Sequence, residues 1–208
     1  MNLMDRGLEL LTVAIIGLIP LFVSSAAHAT SLITDVQNAW RSEVVARRHY
    51  LVFAMRAEEE GFGEIASLFR AISQAEAVHA TRHLRIIERL GGSATEPNDR
   101  RSYGSTFENL EFAAEQEFQE RGRIYSALLN EHDEAEDQEV VRSFALARAA
   151  EAKNERLCTE ALQRFDDLRG SARKSFYVCP VCGYITEART FTLCPGCSTK
   201  VLQFRVVS

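Results

Sequence analysis

Proline is scarce in this chain, four residues in 208, so little in it breaks a helix. Net positive charge is missing as well: 24 Lys and Arg against 29 Asp and Glu leave −5 at pH 7. That balance gives no reason to expect nucleic acid as a partner, since such proteins neutralise phosphates with clustered cations. The basic residues are instead interspersed with acids, the pattern of a solvated helix surface. Also absent is an apolar run of the roughly 20 residues that a membrane-spanning helix needs; the stretch from Leu10 to Val23 has 14. With 46% hydrophobic and 25% charged residues, the composition is that of a soluble, helix-rich protein of one main domain plus something small.

Residues 1–29 stand apart. Arg6 lies in a short leading segment, Leu10 to Val23 is almost wholly apolar, and Ala27-His28-Ala29 closes with an A-x-A pattern. This is the three-part layout of a secretory signal peptide, so we expect export to a periplasmic location with cleavage after Ala29. Asp5 and Glu9 run against that layout, and no twin arginine is present. The alternatives are an uncleaved membrane anchor, or a start codon placed too far upstream of a cytoplasmic protein.

From about Thr34 the chain reads as helix for a long way. A first helix runs to Glu60 and breaks at Gly61-Phe62-Gly63, and a second runs from about Glu64 to Leu90 and stops at Gly91-Gly92. Ser93 to Ser105, with Pro97, Asn98 and Gly104, reads as a longer connection. A third helix is expected over about Thr106 to His132, and a fourth from Asp137 to Arg169, ended by Gly170. Two helix pairs joined by one long connection make a ferritin-like four-helix bundle over residues 34–170.

The two pairs repeat. A shift of 75 aligns Glu64 with Glu139, Phe69 with Phe144, Ala75 with Ala150, Glu76 with Glu151, and Tyr50 with Tyr125. Glu43 meets Glu117 only at a shift of 74. One extra residue therefore lies between Glu117 and Tyr125, and a π-bulge would absorb it.

A di-iron centre inside such a bundle takes a Glu from each of two helices and a Glu-x-x-His from each of the other two, all pointing inward. Glu43, Glu76, His79, Glu117 and Glu151 fall where that scheme needs them. Glu76 and His79, three apart, sit one turn apart on a common helix face. Carboxylate oxygens suit iron or manganese, and the imidazole adds a nitrogen ligand. Surface glutamates are common, but Glu76 lies among Ile72, Ala75, Ala77 and Val78, and Glu151 follows Ala149 and Ala150. Carboxylates facing a core in that way are costly without a cation. Glu120, three after Glu117, lies on the same face as an extra carboxylate. Tyr50 and Tyr125 are placed to hydrogen-bond ligand carboxylates from behind.

Residues 175–208 are dense in β-formers and carry Cys179-Pro-Val-Cys182-Gly-Tyr and Cys194-Pro-Gly-Cys197. Two C-x-x-C knuckles can wrap one tetrahedral metal in four thiolates. Zinc would make the module a structural ribbon and iron a one-electron relay. Cys158, away from the knuckles, reads as a small packed side chain.

Residues 34–208 resemble rubrerythrin, a ferritin-like di-iron bundle followed by a rubredoxin-like module. The stretches that carry the resemblance are Ser42-Glu43 through His49-Tyr50, Ala75-Glu76-Ala77-Val78-His79-Ala80, Glu117-Phe118-Gln119-Glu120, and Ala150-Glu151-Ala152-Lys153-Asn154, with the two cysteine knuckles. The resemblance implies a mainly α fold, iron at both centres, and peroxidase activity on hydrogen peroxide. It also implies an electron-donor protein such as a reductase or a rubredoxin, and a homodimer or larger homo-oligomer in which the module reaches a partner's bundle. Family members are usually cytoplasmic. Glu120 resembles the carboxylate that exchanges with the second-helix histidine as the iron changes oxidation state. Asn154 departs from the family, standing where a histidine ligand is expected, with His83 a poor substitute. The alternative function is a metal-storage bundle with a structural zinc ribbon.

Overall fold

The computed structural model describes residues 19–99, 103–132 and 134–208. Helix α1 covers Ile19–Glu59 and α2 covers Gly63–Arg89. The helix therefore begins well before the expected start at Thr34: residues 19–33 already belong to α1, while residues 1–18 of the leader-like segment lie outside the described residues. Gly61 makes the turn between α1 and α2 with φ +84°, a left-handed conformation that costs a side-chain-bearing residue. The amide of Phe62 bonds back to the Ala57 carbonyl at 2.8 Å and satisfies the end of α1.

After the connection, Ser105 caps helix α3, Thr106–Gln119, through a capping box with Glu108. The third helix then changes geometry. Glu120–Ile124 is a π-helical turn, and α4 resumes at Tyr125–Glu131. The extra residue counted from the offset between the two repeats is housed here. Helix α5 covers Glu134–Gln163, with a kink at Asp137 (φ −121°, ψ 34°). It ends six residues before the expected Arg169, and Asp166–Leu168 forms a separate 3₁₀ turn. Among the described residues, no helix is long and apolar enough to cross a membrane.

The C-terminal module is a small antiparallel sheet in the order β2-β1-β3, built from Phe176–Val178 (β1), Ile185–Thr186 (β2) and Arg205–Val207 (β3). Val178 pairs with Ile185 on one side and Arg205 on the other. Val201–Gln203, rich in β-formers, turns out to be a 3₁₀ turn that leads into β3. The module packs on α2 and α5 of its own chain.

Two apolar clusters flank the middle of the bundle. One gathers Tyr50, Phe53, Ile65, Phe69, Ile72 and Leu110; the other gathers Val36, Trp40, Ile86, Tyr125, Val140 and Phe144. The duplication is visible in their aromatics, since Tyr50 packs on Phe69 (centroids 6.1 Å apart) as Tyr125 packs on Phe144 (5.8 Å). Between these clusters lie the buried acids.

Candidate metal centres

Each bundle helix sends acid into the same interior. Glu43 comes from α1, Glu76 and His79 from α2, Glu117 from the end of α3, Glu120 from the first position of the π turn, and Glu151 and Asn154 from α5. Glu43, Glu76, Glu117, Glu151 and Asn154 have no solvent exposure, and His79 and Glu120 have 1% and 2%. The potential ligand atoms of Glu43, Glu76, His79 and Glu151 all lie within 4.8 Å of one another. His79 Nδ1 is 2.9 Å from Glu151 Oε1, 3.1 Å from Glu76 Oε2 and 3.6 Å from Glu43 Oε2. Glu117, equally buried, joins the group close enough to feel the charge of Glu151. Glu120 stands beside the group, its Oε1 accepting from Ser42 Oγ (2.9 Å) and Gln116 Nε2 (2.8 Å).

One oxygen on each of Glu43, Glu76, Glu117, Glu120 and Glu151 lacks a hydrogen-bond partner. Glu151 Oε1 is near His79 in distance but lies off the hydrogen-bonding direction. Unpartnered buried carboxylate oxygens are among the costliest groups a core can hold. Cations between them remove that cost, and a set of oxygens with one imidazole nitrogen fits iron.

The charges respond to this crowding. Burial, then the charge of Glu151, pushes Glu76 and Glu117 well above the ordinary carboxylate range. Burial and the charges of Glu43 and Glu151 raise Glu120 to about 8. Burial also works to raise Glu43, but His79 and a hydrogen bond with Glu76 outweigh it and bring the carboxyl down to about 2. His79 is held protonated against burial by Glu151 and Glu43. The site thus gathers protons where it would otherwise bind positive ions.

Both predicted tyrosines sit behind the acids, and each reaches across to the other repeat. Tyr50 donates to Glu117 Oε1, and Tyr125 donates to Glu43 Oε1. His83 is not among the clustered ligands. Its Nε2 bonds the Tyr125 hydroxyl at 2.9 Å, and Ser143 Oγ lies 3.3 Å from its Nδ1. Because Tyr125 spends its proton on Glu43, His83 Nε2 is the protonated nitrogen and Nδ1 accepts from Ser143. Asn154 does line the site: its Nδ2 donates to Glu151 Oε2 at 2.9 Å, and its Oδ1 has no partner. That oxygen is a neutral donor atom left free at the edge of the carboxylates.

In the module, Cys179 and Cys197 bring their sulfurs to 3.5 Å, as do Cys182 and Cys194. The four sulfurs lie within 4.8 Å of one another, and none is in a disulfide. A tetrahedral metal with M–S near 2.3 Å sets S···S edges of about 3.8 Å, so the cage fits one thiolate-bound ion. The Cys182 side chain and the backbone amides of Val181 and Cys182 turn toward Cys179 and lower its thiol to about 5. Cys158 is buried in the bundle core, its thiol pushed up by burial, away from this cage.

One ring touches both centres. His79 faces the carboxylates with Nδ1, and its Nε2 donates to the Cys182 carbonyl at 3.1 Å. Gly183 makes the approach feasible: a Cβ there would overlap His79 Nε2, and φ is +78°. Sequence reading missed this contact and the grip of Ser42 and Gln116 on Glu120. The second had a signal, because Gln116 and Glu120 are four apart on a helix; the first had none, since its partners are far apart in the chain.

The family model described as rubrerythrin matches residues 36–162. Rubrerythrin-2 of Clostridium acetobutylicum is 29% identical over 82% of this chain and 93% of its own. Rubrerythrin of Porphyromonas gingivalis is 32% identical over 77% of this chain and 82% of its own. A solved structure of mixed-valence nigerythrin superposes with TM-score 0.76 at 27% identity, covering 84% of this chain and 86% of that one. A bacterioferritin of Desulfovibrio desulfuricans, at 18% identity and TM-score 0.64, shares the fold. With its acid-lined bundle and four-cysteine module, the chain belongs to the rubrerythrin family.

Proposed function

We propose that this protein is a non-haem iron peroxidase that reduces hydrogen peroxide to water with electrons delivered through a four-cysteine iron. The observation that carries the proposal is His79, whose two ring nitrogens face the two metal cages. A pair of ferrous ions in the carboxylate cage would supply electrons for cleavage of the O–O bond, H2O2 + 2 e− + 2 H+ → 2 H2O.

Glu43, Glu76, Glu117 and Glu151 would hold the ions, with His79 Nδ1 as the nitrogen donor and Asn154 Oδ1 beside Glu151. Tyr50 and Tyr125 fix the orientation of Glu117 and Glu43. Glu120, gripped by Ser42 and Gln116 on the π turn, stands at the edge of the cage as a further carboxylate for the ions. A protein electron donor for the module, assembly into at least a homodimer, and export with loss of residues 1–29 belong to the same proposal.

The test starts with protein purified without air. We expect about three irons per chain, an iron–thiolate visible spectrum, and rapid bleaching and recovery of that spectrum through cycles of reductant and peroxide. Zinc in the four-cysteine cage, or a reduced module that peroxide does not reoxidise, would overturn the proposal in favour of a storage bundle. The mature mass shows whether cleavage occurs after Ala29.

A further inference from the structure

Helices α1 and α3 leave a cavity of about 350 Å3 beside the carboxylate cage. Ser42, Val45, Ala46 and His49 form its α1 wall, spaced so that they share one helix face, and Phe112 and Gln116 face them from α3. The two ends differ in chemistry. Toward the cage, Ser42 and Gln116 both hold Glu120, whose other oxygen is buried and unpartnered. Val45, Ala46 and Phe112 supply apolar lining, and Tyr50 with the paired His49 and Asp99 completes the wall.

Size separates two substrates. A hydrogen peroxide molecule is comparable to two waters, on the order of 60 Å3 at liquid density. Cavities of roughly 300–1,000 Å3 are those that hold organic ligands. We propose that this cavity is a substrate site for organic hydroperoxides, R–O–OH, with a small branched or aromatic R. The proposal rests on the peroxidase function above and extends its substrate class. The hydroperoxide group points to the Ser42–Gln116–Glu120 end, and R lies on Val45, Ala46 and Phe112. The reaction balances as R–O–OH + 2 e− + 2 H+ → R–OH + H2O. One O–O bond breaks, one O–H bond forms on each oxygen, and an external one-electron donor protein supplies two electrons per turnover.

Iron-loaded full-length protein, assayed with hydrogen peroxide and with cumene hydroperoxide, should reduce both. Val45→Phe, which narrows the apolar wall, should lower kcat/KM for cumene hydroperoxide relative to that for hydrogen peroxide by about tenfold or more. Ala46→Leu serves the same purpose if Val45→Phe does not fold. Calorimetric binding of cumyl alcohol, the unreactive product, should be measurable with the wild type and lost in the narrowed variant; this reads the cavity without turnover. Reduction of hydrogen peroxide alone, equal losses on the two peroxides, or no binding of the alcohol would each overturn the proposal and leave the peroxidase function standing. Failure of the wild type to reduce either peroxide would overturn both.

Discussion

Tyr50 on α1 gives its hydroxyl proton to Glu117 on α3, and the duplicated half answers with Tyr125 giving its own to Glu43. Each hairpin thereby fixes an acid of the other. Tyr50 is 1% exposed and its hydroxyl is held protonated by burial and by the Glu117 charge. Replacing it with Phe leaves both Glu117 oxygens without that support. Tyr50→Phe should cost about 1–3 kcal/mol of unfolding free energy in metal-free protein. It should also weaken retention of the ion that Glu117 holds, read as faster iron loss to a chelator. Unchanged stability and unchanged iron loss would mean that Tyr50 only fills space.

Asn154 stands three residues after Glu151, where the resemblance leads one to expect a histidine. Its Oδ1 is buried without a partner while Nδ2 is committed to Glu151. A neutral amide oxygen is a weaker donor to ferrous iron than imidazole nitrogen. Asn154→His should therefore tighten the ion at that end of the cage by roughly 10-fold, the scale of a ligand-shell change. Iron content after dialysis against a graded chelator series measures it. Identical curves for the two proteins would place Asn154 outside the coordination shell.

Much of this was legible in the chain. Helix breaks at Gly61 and Gly91, the helix start near Thr106, and the five acids could be read from spacing and repetition. The π turn at Glu120–Ile124 followed from one count, 74 against 75. What escaped depends on how the helices pack. Spacing along α1 places Tyr50 near Glu43, yet the bundle turns it to Glu117. β-Formers at Val201–Gln203 do not make a strand, because the Leu193–Lys200 bridge and the second knuckle precede a 3₁₀ turn there. The N-terminal extension of α1 was hidden by the apolar composition that also reads as a leader.

His83 provides a pH test. Burial, opposed by the Glu43 charge, lowers its pKa to about 4, from 6.5 in the unfolded chain. The unfolded state therefore binds a proton first as pH falls. His83 contributes its full stability above about pH 6.5 and loses it progressively as pH falls through about 4, an effect on the order of 3 kcal/mol. Neighbouring acids titrate in the same range, so the comparison is with His83→Gln in metal-free protein. The difference between the two denaturation free energies should shrink as pH falls from 7 to 4. A pH-independent difference would show that His83 carries no such linkage.

Substitution at Gly183 tests the proposed electron route apart from metal binding. The glycine is neither a ligand nor a neighbour of the carboxylates, yet a Cβ at this position would overlap His79 Nε2. Its positive φ adds strain of about 1 kcal/mol for alanine. Gly183→Ala should push the first knuckle off α2 and stretch the 3.1 Å bond from His79 to the Cys182 carbonyl. The four sulfurs and the acids remain, so iron at both centres should stay at wild-type levels. Stopped-flow reoxidation of the reduced module by peroxide should slow by about tenfold, a barrier increase of roughly 1.4 kcal/mol. Reoxidation at the wild-type rate in a variant with full iron would show that electrons reach the bundle by a route that does not use His79.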